Sequence, residues 1–351
     1  MLTSLLVLSF LIFFHELGHF LAARFFGVKV EVFSIGFGKK ILKRRFGDTE
    51  YCLSAIPLGG YVQMKGQDDT NPSNTSVDTD SFGGKTPLQR IAILFAGPFA
   101  NFVLAFLLYL AIASLGVLKL APEIGGVGEN SAAVSAGLLE KDRILAINGT
   151  PIRSWDEIKP IITQTQGAVE LLVGRENGSL LLTLTPKLSQ SQTIFGEAIQ
   201  ERLIGISPSG ETVTLYFKGV EGVEYAWHET VRAATLIVQS LQKMIEGVIS
   251  PKEMGGVISI VQITSSAADA GIVALFMLTA LISVNLGVIN LFPIPALDGG
   301  HIMFNLYEMI MRKPPNEAVY AKMTYAGWGL LLSLMAFTIV NDILRLSGAY
   351  Q

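Results

Sequence analysis

The chain has one cysteine, Cys52, in 351 residues, so no internal disulfide can form and cysteine usage does not report the compartment. Charge is also scarce: 16% of residues are Asp, Glu, Lys or Arg, and the formal net charge is only -3. No Lys/Arg-rich block stands out, so no nucleic-acid partner is expected. The first fourteen residues carry no charge, and no basic segment or plausible cleavage site accompanies them, which fits poorly with a cleaved signal peptide. What replaces charge is apolar sequence. Half the residues are hydrophobic and the mean hydropathy is +0.48, as in a polytopic membrane protein rather than a soluble one.

A membrane-spanning helix needs about 20 mostly apolar residues. Four stretches qualify: roughly 2–23, 91–118, 271–292 and 325–344. The expected organisation is a first transmembrane helix at 1–24, a β-hairpin region and mobile loop at 25–87, and a second transmembrane helix at 88–118. A small α+β domain follows at 119–210, then an amphipathic linker helix region at 211–270. Transmembrane helices at 271–311 and 323–347 complete the chain. The polar stretch 67–86, rich in Asp, Asn, Ser and Thr, reads as the mobile loop. Residues 224–248 place apolar residues at helical spacing opposite charges and suit a membrane interface; His228, alone on this helix, reads as a surface residue.

The α+β segment contains Ala136-Gly137-Leu138 and Ile147-Asn148-Gly149, with a strand running into the Asn148-Gly149 turn. Ser154 is placed to cap a short helix, and Glu176-Asn177-Gly178 reads as a second turn. The segment resembles a PDZ domain of the bacterial protease-associated type, with Lys141 where that pattern usually has glycine. PDZ domains bind peptides by strand addition; a domain that merely blocks access is the other reading.

Charge asymmetry orients the chain. Residues 24–90 hold ten Lys/Arg against seven Asp/Glu, whereas 119–269 hold twelve against seventeen. The positive-inside rule then puts the hairpin region in the cytoplasm and the PDZ-like domain outside.

The chemistry begins with His15-Glu16-Leu17-Gly18-His19, set inside the first apolar run. Ionisable residues at bilayer depth are costly and usually functional. Residues four apart share a helix face, so His15 and His19 can grip one metal ion while Glu16 leans toward it as general base. Taken alone, the same histidine pair also suits a proton relay or a haem site. A catalytic zinc wants a third protein ligand. Asp298 follows the third apolar run, just after Pro293 and Pro295 interrupt it, and is the candidate; the alternative is a carboxylate at the membrane surface.

HELGH, the run from Asn290 through Pro293 and Pro295 to Leu297-Asp298-Gly299, and the PDZ-like segment between them together resemble the site-2 protease family of intramembrane zinc metalloproteases. The resemblance spans the chain. It implies Zn2+ held by His15, His19 and Asp298, Glu16 as catalytic acid/base, and Asn290, Pro293 and Pro295 holding substrate near the metal. It gives Gly97, Pro98 and Asn101 of the second span a structural role, for which an interhelical hydrogen bond from Asn101 is the plain alternative. It makes the hairpin region a contact for extended substrate. We expect a substrate strand to add at Gly59, Gly60, Tyr61 and Val62. Further implications are an inner-membrane location, single-span membrane protein substrates of the anti-sigma-factor or remnant-signal-peptide type, and a peptide or C-terminus at the PDZ-like domain. Membrane lipid is the remaining partner. Some family members carry two tandem PDZ domains; only one is legible here. A peptide-binding scaffold without catalysis and a metal transporter are the competing classes. An intact Glu16 argues against the first, and the lack of internal repeats and further polar residues in the spans against the second.

Overall fold

Apolar runs bounded by polar or glycine-containing turns dictate the helices of the computed structural model, which describes residues 2–67, 76–176 and 178–348. The chain divides into a unit formed by residues 1–112 and 223–351 and an inserted unit, 113–222.

The first unit opens with α1 (Leu2–Phe25), which leads into β1 (Val30–Phe46) and β2 (Thr49–Met64). These two long strands make more than a simple hairpin. Residues 40–46 of β1 pair with 49–54 of β2 around the tip, and β2 then doubles back so that its residues 60–64 pair with the other side of 30–35. Residues 30–35 therefore lie between two stretches of β2, and the pair behaves as a four-ribbon sheet with 40–46 and 60–64 at its edges. The sheet packs on α1 through Phe20, Val30, Phe33 and Met64. The bends are register shifts in β1 around Ile35 to Leu42, where Gly36 and Gly38 take positive φ.

Of the stretch expected to be a mobile loop, residues 68–75 lie outside the described residues. The remainder is built of hydrogen-bonded turns. Ser81 is fully buried and its hydroxyl donates to the carbonyls of Ser76 and Asp78, both at 2.7 Å. Lys65 pairs with Asp80 at 2.6 Å, and the Phe82 N–H donates to the Lys65 carbonyl at 2.8 Å. Polar composition here builds turns whose hydrogen bonds are internal.

The next helix, α2, is Pro87–Leu115. It crosses α1 closely at Gly18, where a Cβ would lie 2.2 Å from the Ala96 carbonyl oxygen.

In the inserted unit, β3 (Val117–Leu120), β4 (Ile124–Val127) and α3 (Ala132–Ser135) precede β5 (Arg143–Ile147) and β6 (Thr150–Pro151). Then come α4 (Ile158–Gln164), β7 (Val169–Arg175), β8 (Gly178–Leu184), β9 (Lys187–Gln192), β10 (Ala198–Leu203), β11 (Ile206–Pro208) and β12 (Thr212–Leu215). An antiparallel sheet runs β6-β5-β7-β8, and the last strands return to the first, β11 on β4 and β12 on β3. Ile124, Ile144, Ile147, Leu171 and Val173 form its fully buried core. Asn148 and Gly149 both take positive φ, as a two-residue type I′ hairpin requires. Lys141 also has positive φ, 68°, which is why glycine suits that position. Ser154 does not cap the following helical turn; its hydroxyl donates to Glu157, whose carboxylate also accepts the Arg153 N–H at 2.8 Å. The turn at 176–178 includes Asn177, outside the described residues.

Asp142 is buried in this unit. Arg175 donates to both its oxygens, at 2.6 and 2.8 Å, and the Leu139 N–H donates at 2.9 Å. Burial alone would raise its pKa; these donors hold the carboxyl below its usual value.

The chain then forms α5 (Val220–Ile245), α6 (Val257–Ala270), α7 (Ile272–Asn290), α8 (Asp298–Met311) and α9 (Glu317–Leu346). The expected linker region 211–270 is thus a strand and two helices. The expected transmembrane helix at 271–311 is two helices, α7 and α8, because Pro293 and Pro295 cannot continue the helical ladder between them. Asp342 of α9 accepts the backbone N–H groups of Gly256, Ile258 and Ser259 at 3.0–3.1 Å, capping α6. Among the described residues, α1, α2, α7 and α9 are long and apolar enough to cross a membrane.

Candidate active site

His15 and His19 project from one face of α1 toward the first residue of α8, Asp298. The His15 Nε2 lies 3.2 Å from Asp298 Oδ2, the His19 Nε2 3.4 Å from the same oxygen, and the two Nε2 atoms are 3.1 Å apart. Ligand atoms about 2.0–2.1 Å from a tetrahedral zinc lie roughly 3.3 Å from one another, so these separations fit.

The surrounding hydrogen bonds decide what the three atoms offer. The His19 Nδ1 is 2.9 Å from the Ile93 carbonyl, which can only accept. Nδ1 therefore carries the proton and Nε2 of the neutral ring presents a lone pair. That lone pair faces a second imidazole nitrogen and a carboxylate oxygen. Two imidazole nitrogens and a carboxylate oxygen gathered within 3.4 Å of one another are a donor set that suits a divalent cation.

Asn101 lies against the other nitrogen of His15. It is fully buried, its Nδ2 lies 3.2 Å from His15 Nδ1, and its Oδ1 has no partner. With zinc on Nε2, His15 carries its proton on Nδ1 and needs an acceptor. Rotating the Asn101 carboxamide by half a turn supplies one. The residues present therefore fit zinc. Asn101 is held in turn by α7, where the Ser283 hydroxyl donates to its carbonyl at 2.8 Å. Asp298 also gains from its place at the start of α8, where the helix dipole favours a carboxylate.

Gly97 makes room for His19: a Cβ there would lie 2.2 Å from the imidazole Nε2. Pro98 sits inside α2, where its missing N–H removes one helical hydrogen bond, and α7 packs against its carbonyl through Gly287. Asn290, the last residue of α7, places its amide 3.4 Å from His15 Nε2. Pro293 and Pro295 lie in the irregular stretch 291–297, folded on itself by bonds such as Ile294 N–H to Phe292 carbonyl at 2.7 Å.

The sheet reaches the same place. Gly60 lies so close to Glu16 that a Cβ on it would be 3.2 Å from the Glu16 Cγ. Gly60, Tyr61 and Val62 pair with Ile35, Ser34 and Phe33 on one side. The Tyr61 ring stacks on Phe37, and Gly59 has positive φ, 140°, beside that ring.

Sequence reasoning missed two partners. The Ile93 carbonyl has no sequence signal, being backbone. The Tyr320 hydroxyl lies 2.8 Å from His301 Nδ1, fixing a ring one turn beyond Asp298; a tyrosine early in α9 gave no hint of it.

Residues 3–334 match the peptidase family M50. The chain belongs to that family, the site-2 proteases. Three relatives, each named Putative zinc metalloprotease, align along almost their whole length. One from Campylobacter jejuni subsp. jejuni is 49% identical over 347 residues, covering 99% of this chain and 94% of its own. One from Helicobacter pylori strain J99 is 41% identical over 356 residues, covering 98% and 99%. One from Clostridium acetobutylicum is 34% identical over 342 residues, covering 97% and 96%. The protein is thus a zinc metalloprotease of family M50, with four apolar helices suited to a multi-pass membrane protein.

Proposed function

We propose that this M50 protease is an intramembrane endopeptidase that cuts the transmembrane segments of single-span membrane proteins. His15, His19 and Asp298 hold the zinc and Glu16 is the catalytic acid/base. The carrying observation is the convergence of three metal-ligating atoms from α1 and the α7–α8 break, beside helices long enough to span a bilayer. Bound zinc supplies an activated water and polarises the scissile carbonyl. Glu16 takes the proton released in the attack and returns it to the departing amine. Asn290 donates its amide to the substrate backbone near His15, and the Pro293–Pro295 stretch shapes the space beside it.

A helical peptide bond is shielded by its own hydrogen bonds, so the substrate must unwind. The edge at Gly59–Val62 offers an extended segment a partner immediately beside Glu16, which supports strand addition there. Gly97 and Pro98 shape α2 around the ligands, and Asn101 orients His15.

The inserted unit is read as a PDZ-like domain on the extracytoplasmic side of the inner membrane, binding a peptide or a new C-terminus. Its hairpin at Asn148-Gly149 and the excess of basic residues in the hairpin region support this. The exposed apolar residues of α5, Trp227, Val231 and Ile245 among them, suit contact with membrane lipid. Substrates are membrane-bound anti-sigma factors or remnant signal peptides already trimmed by another protease, within regulated intramembrane proteolysis.

The test is cleavage of a tagged, trimmed single-span substrate by the purified protein and by Glu16→Gln, with zinc quantified in both. Cleavage by wild type alone, at equal zinc content, supports the reading. Zinc in both with no cleavage of any trimmed substrate would return the site to metal binding without proteolysis.

A further inference from the structure

Five cations, Lys39, Lys40, Lys43, Arg44 and Arg45, crowd the tip region of β1 between Phe37 and Phe46. Lys40 pairs with Glu50. Among the described residues no carboxylate forms an ion pair with the other four. Solvated charge runs are common, but this one is interleaved with large apolar side chains that are themselves exposed: Ile41 at 62%, Leu42 at 64% and Phe46 at 75%.

Register places one of these cations on the apolar face. Phe33 pairs with Tyr51, and Tyr51 with Arg44; Ile35 pairs with Leu53, and Leu53 with Leu42. Side chains directly opposite in a sheet share a face. Arg44 therefore ends the apolar row Val62-Phe33-Tyr51, next to a row carrying Ile35, Leu53 and Leu42. That face meets α1, with the Phe33 ring 5.8 Å from Phe13 and 5.2 Å from Phe20. Between helix and sheet lies a cavity of about 590 Å³, lined by Phe13, Leu17, Phe33 and Leu42, with Lys43 and Arg44 on its wall. Its size is that of an ordinary ligand site, roughly 300–1,000 Å³.

Depth indicates the occupant. In a helix rising about 1.5 Å per residue, Phe20 lies roughly 7 Å and Phe13 roughly 18 Å from the end of α1 at Phe25. Half a bilayer core is about 15 Å. The cavity therefore extends from the membrane surface to near the bilayer centre. The outer edge at 40–46 has unpaired backbone groups that hydrocarbon cannot satisfy, so it belongs at headgroup level. A cation there, at the rim of an apolar slot, meets lipid phosphate.

We propose that this slot is a binding site for an anionic phospholipid, with an acyl chain between α1 and the sheet and its phosphate held by Arg44, with Lys43 beside it at the rim. The inference rests on α1 spanning the membrane as read above, and its test is independent of proteolysis.

The experiment is native mass spectrometry of the full-length protein in mixed micelles, comparing phosphatidylglycerol with phosphatidylcholine of the same acyl chains. Two cations at the headgroup correspond to roughly a 30-fold preference for the anionic lipid. Wild type and Glu16→Gln should show it equally, so loss of proteolysis and loss of lipid binding are distinguishable. The double variant Lys43→Gln/Arg44→Gln should bind both lipids alike while keeping its zinc, and Arg44→Lys should keep most of the preference. Equal binding of the two lipids by wild type, or an undiminished preference in the double variant, overturns the site. So does full displacement of the lipid by inorganic phosphate, or by an acidic peptide, at millimolar concentration. If the double variant loses zinc, the single exposed change Arg44→Gln decides, and an unchanged preference overturns the site.

Discussion

Asp142 of the inserted unit and Asp298 of the membrane unit are both carboxylates drawn out of water, and their surroundings are opposites. Asp142 receives two hydrogen bonds from an arginine and one from a backbone N–H, so its charge is matched within the protein. Asp298 faces two imidazole nitrogens, and His19 presents a lone pair rather than a proton. The first arrangement is complete without a ligand and serves stability. The second gathers metal-ligating atoms around the carboxylate and suits a cation. A buried carboxylate is thus informative through what its neighbours can donate, more than through its burial.

Substitution should separate the two carboxylates. The largest effect is expected for Asp298→Asn: zinc content falls to background and cleavage with it, while the thermal unfolding of the inserted unit is unchanged. Retained zinc would mean that Asp298 is not a ligand. Glu16→Gln comes next, with full zinc but cleavage reduced by about 10²–10⁴.

Smaller losses are expected one layer out. Asn101→Leu removes the group that orients His15 and should weaken zinc binding by about 10–100-fold in a chelator competition. Gly97→Ala should do the same by pushing His19 aside, since its Cβ would lie 2.2 Å from the ring. Unaltered affinity in both would leave the two histidines positioned by α1 alone.

On the other side of the comparison, Arg175→Met leaves Asp142 buried without its cation and should lower the unfolding temperature of the inserted unit, with zinc unaffected. The carboxyl is held below its usual value in the folded state. Its contribution is therefore present above the unfolded pKa, near 4, and is lost as pH falls through the folded one. Unfolding temperatures of wild type and Arg175→Met should converge on acidification below about pH 4. The smallest effect is a gain. Lys141→Gly relieves a left-handed residue at φ 68° and should stabilise the unit by about 1 kcal/mol in the same melts.

Much of the site was legible because its spacing is the spacing of a helix. His15 and His19 had to share a face, and the prolines before Asp298 had to interrupt the third apolar run. Less of the sheet could be read. Alternation in residues 30–64 predicts strands, but nothing in a two-residue period says that β2 turns back to flank both sides of β1. That reversal is what brings Gly60 to Glu16. The turns after Ser76 were not legible for a related reason: serine and aspartate suit a solvated loop and a self-bonded turn equally. The Ile93 carbonyl that sets the His19 tautomer belongs to the backbone, where composition is silent.

Val117 and Leu215, at the two ends of the inserted unit, are paired partners, so the chain leaves it within about 5 Å of where it came in. Such a segment is a parenthesis in the covalent path. It can be lengthened, doubled or deleted, and the helices on either side keep the same distance to span. A change in the number of such units would require no change in the metal centre, and the two parts of the molecule are free to evolve at different rates.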